Sequence, residues 1–391
     1  MILYKISLII GYLFGCSKYL KIKNKQPTVS INSQSSLKWF YIILSIATLN
    51  VILSFGDFVL NFSDTPSLIE KILDVFEKPG ENYAERTNAS DEPVSNKVYN
   101  FFRFYIIFSQ TFIIPLIVFN WARLGFINKT FSVIISFIPM FDSIASGVNK
   151  GLFDFIILYS TSIVIYIIYI NQNKSKKVSN KSIYALPILL LSLFLIFFGH
   201  GMSQRGGDLR YIESTDNLNN IKVNNQSVLL ANENFAYYTY AWLSTYVVQG
   251  YYGFSLALEE EFDSTYGVGH SVILTRNVES ILNIDLKSRT FQRKITSHWD
   301  ENGQWHSFYS YLANDLNFPG VALALFVISF LLAKVWISFL DTGNVFAGVI
   351  VCIFAILIIF IPANNQIFSF LHGLSAFFWG FVFWMYSLKK S

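Results

Sequence analysis

Between Gly199 and Pro319 the chain concentrates arginines, carboxylates, histidines and aromatic rings. Gln204-Arg205-Gly206-Gly207-Asp208-Leu209-Arg210 sets two arginines five residues apart around a flexible glycine pair. Such a loop can close as a clamp on an anionic group, because a guanidinium binds phosphate bidentately and never loses its charge. The plainer alternative is an arginine paired with Asp208, or an anchor for lipid head groups. No strand is expected before these glycines and no helix is capped by them, so the stretch is not a nucleotide-binding loop. Further on, Glu259, Glu260, Glu261 and Asp263 lead into Tyr266, Gly267, Gly269, His270 and Arg276. Carboxylates beside a histidine and an arginine have the parts for general-base chemistry. The glutamate run also reads as a solvated terminus, whereas His270 is the group there that titrates near neutrality. His298-Trp299-Asp300 and Trp305-His306 suit sugar stacking with hydrogen bonding, and equally an interfacial aromatic belt. The candidates are therefore His270, Asp208 and Glu260 for proton transfer. For holding substrate they are Arg205, Arg210, Arg276, Tyr251, Tyr252, Trp305 and His306. No cofactor pattern or metal-ligand cluster is read, and Cys16 and Cys352 both lie in apolar runs, which argues against a disulfide framework or zinc site.

A membrane scaffold must position these residues. Of 391 residues, 53% are hydrophobic and only 14% charged, and the mean hydropathy is +0.44. Soluble domains carry about 25% charged residues. Apolar runs close to ~20 residues long recur, which marks a polytopic membrane protein. Ile, Asn, Lys and Phe are all abundant, which points to codon bias, so the 39 phenylalanines carry little information by themselves. Met1–Cys16 is apolar without a small-residue cleavage pattern and is taken as a short first span. The fold expected is an all-α polytopic membrane protein with about nine to ten transmembrane helices. It divides into an N-terminal bundle over 1–198, an outer region over 199–319 and C-terminal helices over 320–391.

The distribution of basic residues sets the orientation. Lys18, Lys21, Lys23 and Lys25 mark one inner loop, Lys174, Lys176, Lys177 and Lys181 a second, and Lys389 and Lys390 an inner C-terminus. The loop Asn61–Lys97, with eight carboxylates and four basic residues, suits the outer side. Spans are expected at Met1–Ser17, Leu37–Val59, Val98–Trp121, Thr130–Ile144, Leu152–Ile170, Ile183–Phe198, Val321–Leu340, Val345–Ile361 and Ile367–Tyr386. Counting from either end leaves His200 and Pro319 on the same outer face. A single crossing by the apolar, tyrosine-rich stretch Tyr237–Leu258 would break that parity. That stretch is therefore expected to dip in and return, with Gly250 and Gly253 allowing a break, or to lie in the interface. An ordinary tenth span would require another segment, such as Thr130–Ile144, to be misassigned.

Inside or beside the spans lie Asp57, Arg103, Asp142, Lys150, Asp154 and Lys334. Intramembrane charge is costly and hints at function, although snorkelling near helix ends explains much of it. Lys150 and Asp154 share a helix face at four-residue spacing and are expected to pair.

The stretches YVVQGYYGFSLALEEEFDSTYGVGHS and LANDLNFPGVALALFVISFLLAKVW, with ASGVNKGLFD before them, resemble bacterial oligosaccharide repeat-unit polymerases of the Wzy type. The resemblance covers Asp142 to the C-terminus, and the N-terminal third only as a topology. It implies a membrane glycosyltransferase that joins glycan repeat units on polyprenyl pyrophosphate carriers at the outer face of the inner membrane. It implies lipid-linked donor and acceptor, working beside a flippase and a chain-length regulator, with no cofactor and no nucleic acid. Outer-loop arginines hold the pyrophosphate or glycan in that family, and Arg205, Arg210 and Arg276 are the matching positions. The arginine-then-glycine spacing that one version of the family repeats in two outer loops is not found after these three. The alternatives are a flippase of lipid-linked glycans, a ligase-like transferase with a different acceptor, and a membrane acyltransferase, for which His372 is the intramembrane candidate.

Overall fold

The computed structural model describes residues 1–17, 29–61, 97–145, 149–173, 182–206 and 235–389. The apolar segments expected to span are largely helical, with a turn at 105–107 inside Val98–Trp121 and the last helix starting at Leu371 rather than Ile367. The helices are α1 (Ile2–Ser17), α2 (Gln34–Asn61), α3 (Lys97–Phe104), α4 (Phe108–Asn120), α5 (Phe126–Ala145), α6 (Lys150–Asn173) and α7 (Ser182–Gly206). They continue with α8 (Phe235–Ala257), α9 (Val272–Leu282), the short α10 (Phe291–Lys294), α11 (Phe308–Thr342), α12 (Val345–Phe360) and α13 (Leu371–Lys389). No strand forms among the described residues, where Ser30 and Asn344 make only an isolated bridge.

Among the described residues, five helical segments are long and apolar enough to cross a membrane: Gln34–Ser54, Phe101–Arg123, Lys150–Gln172, Phe308–Thr342 and Leu371–Lys389. Ile2–Ser17, Pro187–Met202 and Val345–Phe360 are shorter and apolar. This composition and architecture fit an all-α protein embedded in a membrane.

The bundle is organised around α12. Its residues from Val345 to Phe354 are all buried, as a helix apolar on every side must be. It packs against α4, α6, α11 and α13. The turn that starts it is local chemistry. Gly343 ends α11 at φ 65°, and Asn344 then caps α12 by accepting the N–H groups of Phe346 and Ala347 at 3.0 and 3.1 Å. The Asn344 amide also donates to Ser387 Oγ at 2.7 Å, tying the cap to α13.

Of the two alternatives for 237–258, the break at Gly250 and Gly253 is absent, because α8 is one unbroken helix of 23 residues that runs through both; the interfacial alternative is not touched by this. Those glycines serve close packing instead. A Cβ on Gly250 would lie 2.3 Å from the Pro362 carbonyl, and one on Gly253 would lie 2.8 Å from the Trp299 ring. The chain is already helical before the boundary expected at Pro319. Helix α11 begins at Phe308 and continues for 35 residues past a kink at Asn317, where φ is 56°. Pro319 accounts for the kink, since its ring clashes with the preceding turn and it has no N–H to give. Asn317 closes the break by accepting the Phe318 N–H at 2.7 Å.

Residues 258–307 form a cap between the end of α8 and the start of α11. Trp299 and Phe291 fill its interior, and Trp299 Nε1 donates to the Trp305 carbonyl at 3.0 Å.

Candidate functional site

Two arrangements of polar groups meet along the segment Ile361–Phe370, which joins α12 to α13. The first is a cavity of about 250 Å³ at one end of the bundle. Lys150 starts α6 and Asp154 follows one turn later, so the pair expected from their spacing forms, with Lys150 Nζ donating to Asp154 Oδ2. His372, in the first turn of α13, brings Nε2 to 3.5 Å from the same oxygen. Lys150 Nζ also stands 4.4 Å from the centre of the Phe370 ring. Arg103, in the last turn of α3, lines the cavity and donates to Ser54 Oγ at 3.3 Å. Asp142, near the end of α5, lines it as well. Two buried oxygens on its wall, Asp154 Oδ1 and Gln366 Oε1, have no hydrogen-bond partner among the described residues. Each of these residues sits within about a turn or two of a helix end or in the joining segment, so four helix ends converge on one polar hole. Buried charges left with spare acceptors are costly and are kept where a ligand or a reaction uses them.

The second arrangement is a histidine–carboxylate pair in the cap. Asp315 stands in α11 just before the kink. Its Oδ1 accepts the Gly269 N–H at 2.9 Å and the Thr265 hydroxyl, and its Oδ2 accepts the His270 N–H at 2.9 Å. The same Oδ2 lies 2.9 Å from His270 Nδ1. A carboxylate can only accept, so Nδ1 carries a proton, and in the neutral ring Nε2 is the accepting nitrogen. Nε2 makes no hydrogen bond among the described residues. Asn365 donates to the His270 carbonyl at 2.6 Å, Ser271 Oγ donates to the Phe368 carbonyl at 2.5 Å, and the His270 ring meets Phe368 edge to face. Gln366, Ile367 and Phe370, from the same segment, line the cavity. One short stretch of chain thus carries contacts of both arrangements.

The other sequence candidates fall as follows. Glu260 is exposed in the turn after α8. Arg276 is exposed on α9 and lines a small polar pocket of about 90 Å³ beside Gly269. Tyr252 packs edge to face on Trp299 at 4.9 Å, Trp305 does so on Tyr246 at 4.4 Å, and Tyr251 stacks near Tyr309 at 6.4 Å. His306 is 1% exposed and belongs to the interior of the cap. Burial pushes its ring well down, to about 4, against the opposing pull of Asp300 and Glu301. Arg205 lies in the last turn of α7, and its side chain is outside the described residues, as are Asp208 and Arg210 altogether. The structure therefore brings His270 and Arg276 to neighbouring positions. It also adds Asp315 and gathers Arg103, Asp142, Lys150, Asp154 and His372 into a site that the sequence showed only as scattered charges.

Compared with protein-family models, with curated proteins and with solved structures, the chain matches none.

Proposed function

We propose that this protein is a membrane glycosyltransferase that joins polyprenyl-diphosphate-linked oligosaccharide repeat units into a surface polysaccharide. The reaction takes place at the outer face of the cell membrane. The observation that carries the proposal is the polar cavity at one end of an apolar bundle, linked through residues 361–370 to an oriented histidine. A lipid-linked donor has a hydrocarbon tail, a diphosphate and a polar glycan, and it needs those three environments in that order. Arg103 and Lys150 serve the diphosphate, whose negative charge grows as the sugar departs. His270 takes the proton of the acceptor hydroxyl, with Asp315 holding its tautomer. In the step, the bond from the anomeric carbon to the diphosphate oxygen breaks and the bond to the acceptor oxygen forms. The proton passes to His270 Nε2, and polyprenyl diphosphate leaves. A flippase that delivers the repeat units and a regulator of chain length are the partners this role calls for.

The converging buried charges also favour a second reading, a transporter of lipid-linked glycan, since transporters keep ionisable groups inside the bundle. Deletion in cells that make the polymer separates the two. Loss of the transferase leaves single repeat units on the outer surface, whereas loss of a transporter leaves none there.

A further inference from the structure

The pocket beside Gly269 lies next to the histidine–carboxylate pair and is built from both signs of charge. Arg276 and Glu279 come from α9, Lys287 from the turn after it, Gln292 from α10, Glu301 from the cap, and Tyr311 from α11. Glu301 is 7% exposed on its side chain and accepts from Lys287 at 3.0 Å and Arg293 at 2.7 Å, so it is a fixed wall rather than a loose surface acid. Glu279 Oε1 is likewise held by the backbone N–H groups of Leu286 and Lys287. Two groups in the lining are left over. Arg276 makes no hydrogen bond or ion pair among the described residues. Gln292 is 6% exposed, its Oε1 is used by Asn314 at 2.9 Å, and its Nε2 has no partner among the described residues. An amide donor buried without an acceptor destabilises the fold, and a ligand oxygen would remove that cost.

We infer that this pocket is a saccharide subsite, which grips one polar arm of a sugar, a hydroxymethyl or acetamido group, and sets the rest of the ring beside His270. Charge decides against an anion, because a phosphate or carboxylate would face Glu279 and Glu301 as well as the two cations. A neutral sugar uses donors and acceptors together. The cavity, about 90 Å³, has room for several waters or for the polar arm of a sugar. The class of ligand rests on the proposed function; the pocket and its unmet donor do not.

The test is saturation-transfer NMR on the purified full chain in detergent, with methyl glucoside and methyl N-acetylglucosaminide as probes and inorganic pyrophosphate as the anionic control. Binding is read without turnover. The wild type is expected to show transfer to at least one glycoside in the millimolar range. Gln292→Met, which keeps the volume and removes the donor, and Arg276→Gln are each expected to weaken it about tenfold. Thermal unfolding of Arg276→Gln should match the wild type, whereas Gln292→Met, which also loses the Oε1 that accepts from Asn314, should unfold a few degrees lower with the same cooperative transition. Wild type silent to both glycosides, equal signals in wild type and both variants, or competition by pyrophosphate instead of the sugars would each overturn the subsite. If the glycosides bind as stated but no polymer is ever made from a lipid-linked repeat unit, the transferase proposal fails and the subsite stands.

Discussion

His270 Nδ1 lies 2.9 Å from Asp315 Oδ2, and the same carboxylate also holds the backbone N–H groups of Gly269 and His270. The carboxylate therefore fixes both the loop that carries the histidine and the tautomer of its ring. Asp315→Asn keeps the shape, removes the charge and can present an N–H to the ring. Turnover is expected to fall by about 100-fold or more with little change in KM, as for other histidines deprived of an orienting carboxylate. Amide exchange at Gly269 and His270 is expected to speed up by about tenfold, as charged hydrogen bonds are replaced by neutral ones. Thr265→Val, which loosens the same loop without touching the charge, should accelerate exchange and spare most of the turnover.

In the cavity, Lys150 and Asp154 have side chains 10% and 14% exposed. Removing one member of a buried pair strands the other and costs on the order of 3–5 kcal/mol. Asp154→Asn and Lys150→Met are each expected to lower the melting temperature in detergent and to abolish polymer formation in cells. The double variant Lys150→Met/Asp154→Leu should recover much of the melting temperature and none of the polymer. Such a result separates the chemistry of the pair from its part in packing.

His306 makes stability depend on pH. Its folded ring titrates at about 4 against an ordinary 6.5, so the unfolded chain binds the extra proton between those values. Stability is then fully present above 6.5 and falls as pH drops toward 4, by up to about 3 kcal/mol from this residue. Melting curves of the wild type from pH 8 to pH 4 should show that decline, and His306→Leu should flatten it.

Helix α8 has to approach the joining segment closely. A Cβ on Gly250 would lie 2.3 and 2.6 Å from the carbonyl oxygens of Pro362 and Ala363, whereas one on Gly201 meets nothing within 4 Å among the described residues. Gly250→Ala is expected to destabilise by about 1–3 kcal/mol through overpacking. Gly201→Ala, inside α7, is expected to be neutral or to gain up to about 1 kcal/mol from helix propensity. Melting temperatures of the two variants check the contrast directly.

Much of the scaffold was legible because apolar segments long enough for helices announce themselves in composition, and because Lys150 and Asp154 pair at a spacing set by the helix itself. Long-range partners were not legible. Asp315 sits in LANDLNFP, which reads as the end of a loop, while its donors lie 45 to 50 residues earlier in the chain. His372 and Asp154 are 218 residues apart, and no local pattern joins them. The stretch 237–258 is expected to turn back or lie in the interface because a single crossing would break the parity set by the basic loops, with Gly250 and Gly253 as the place for a break. Packing against Trp299 and the Pro362 carbonyl instead uses those glycines for contact within an intact helix.

The central claim is tested most directly by giving the purified protein a defined polyprenyl-diphosphate-linked repeat unit and following the products by mass. The account predicts saccharides lengthened by whole repeat units, one polyprenyl diphosphate released per bond formed, and loss of both products in Lys150→Met and Asp315→Asn. Unaltered lipid-linked substrate in the presence of folded wild-type protein, or undiminished elongation by those two variants, would contradict it.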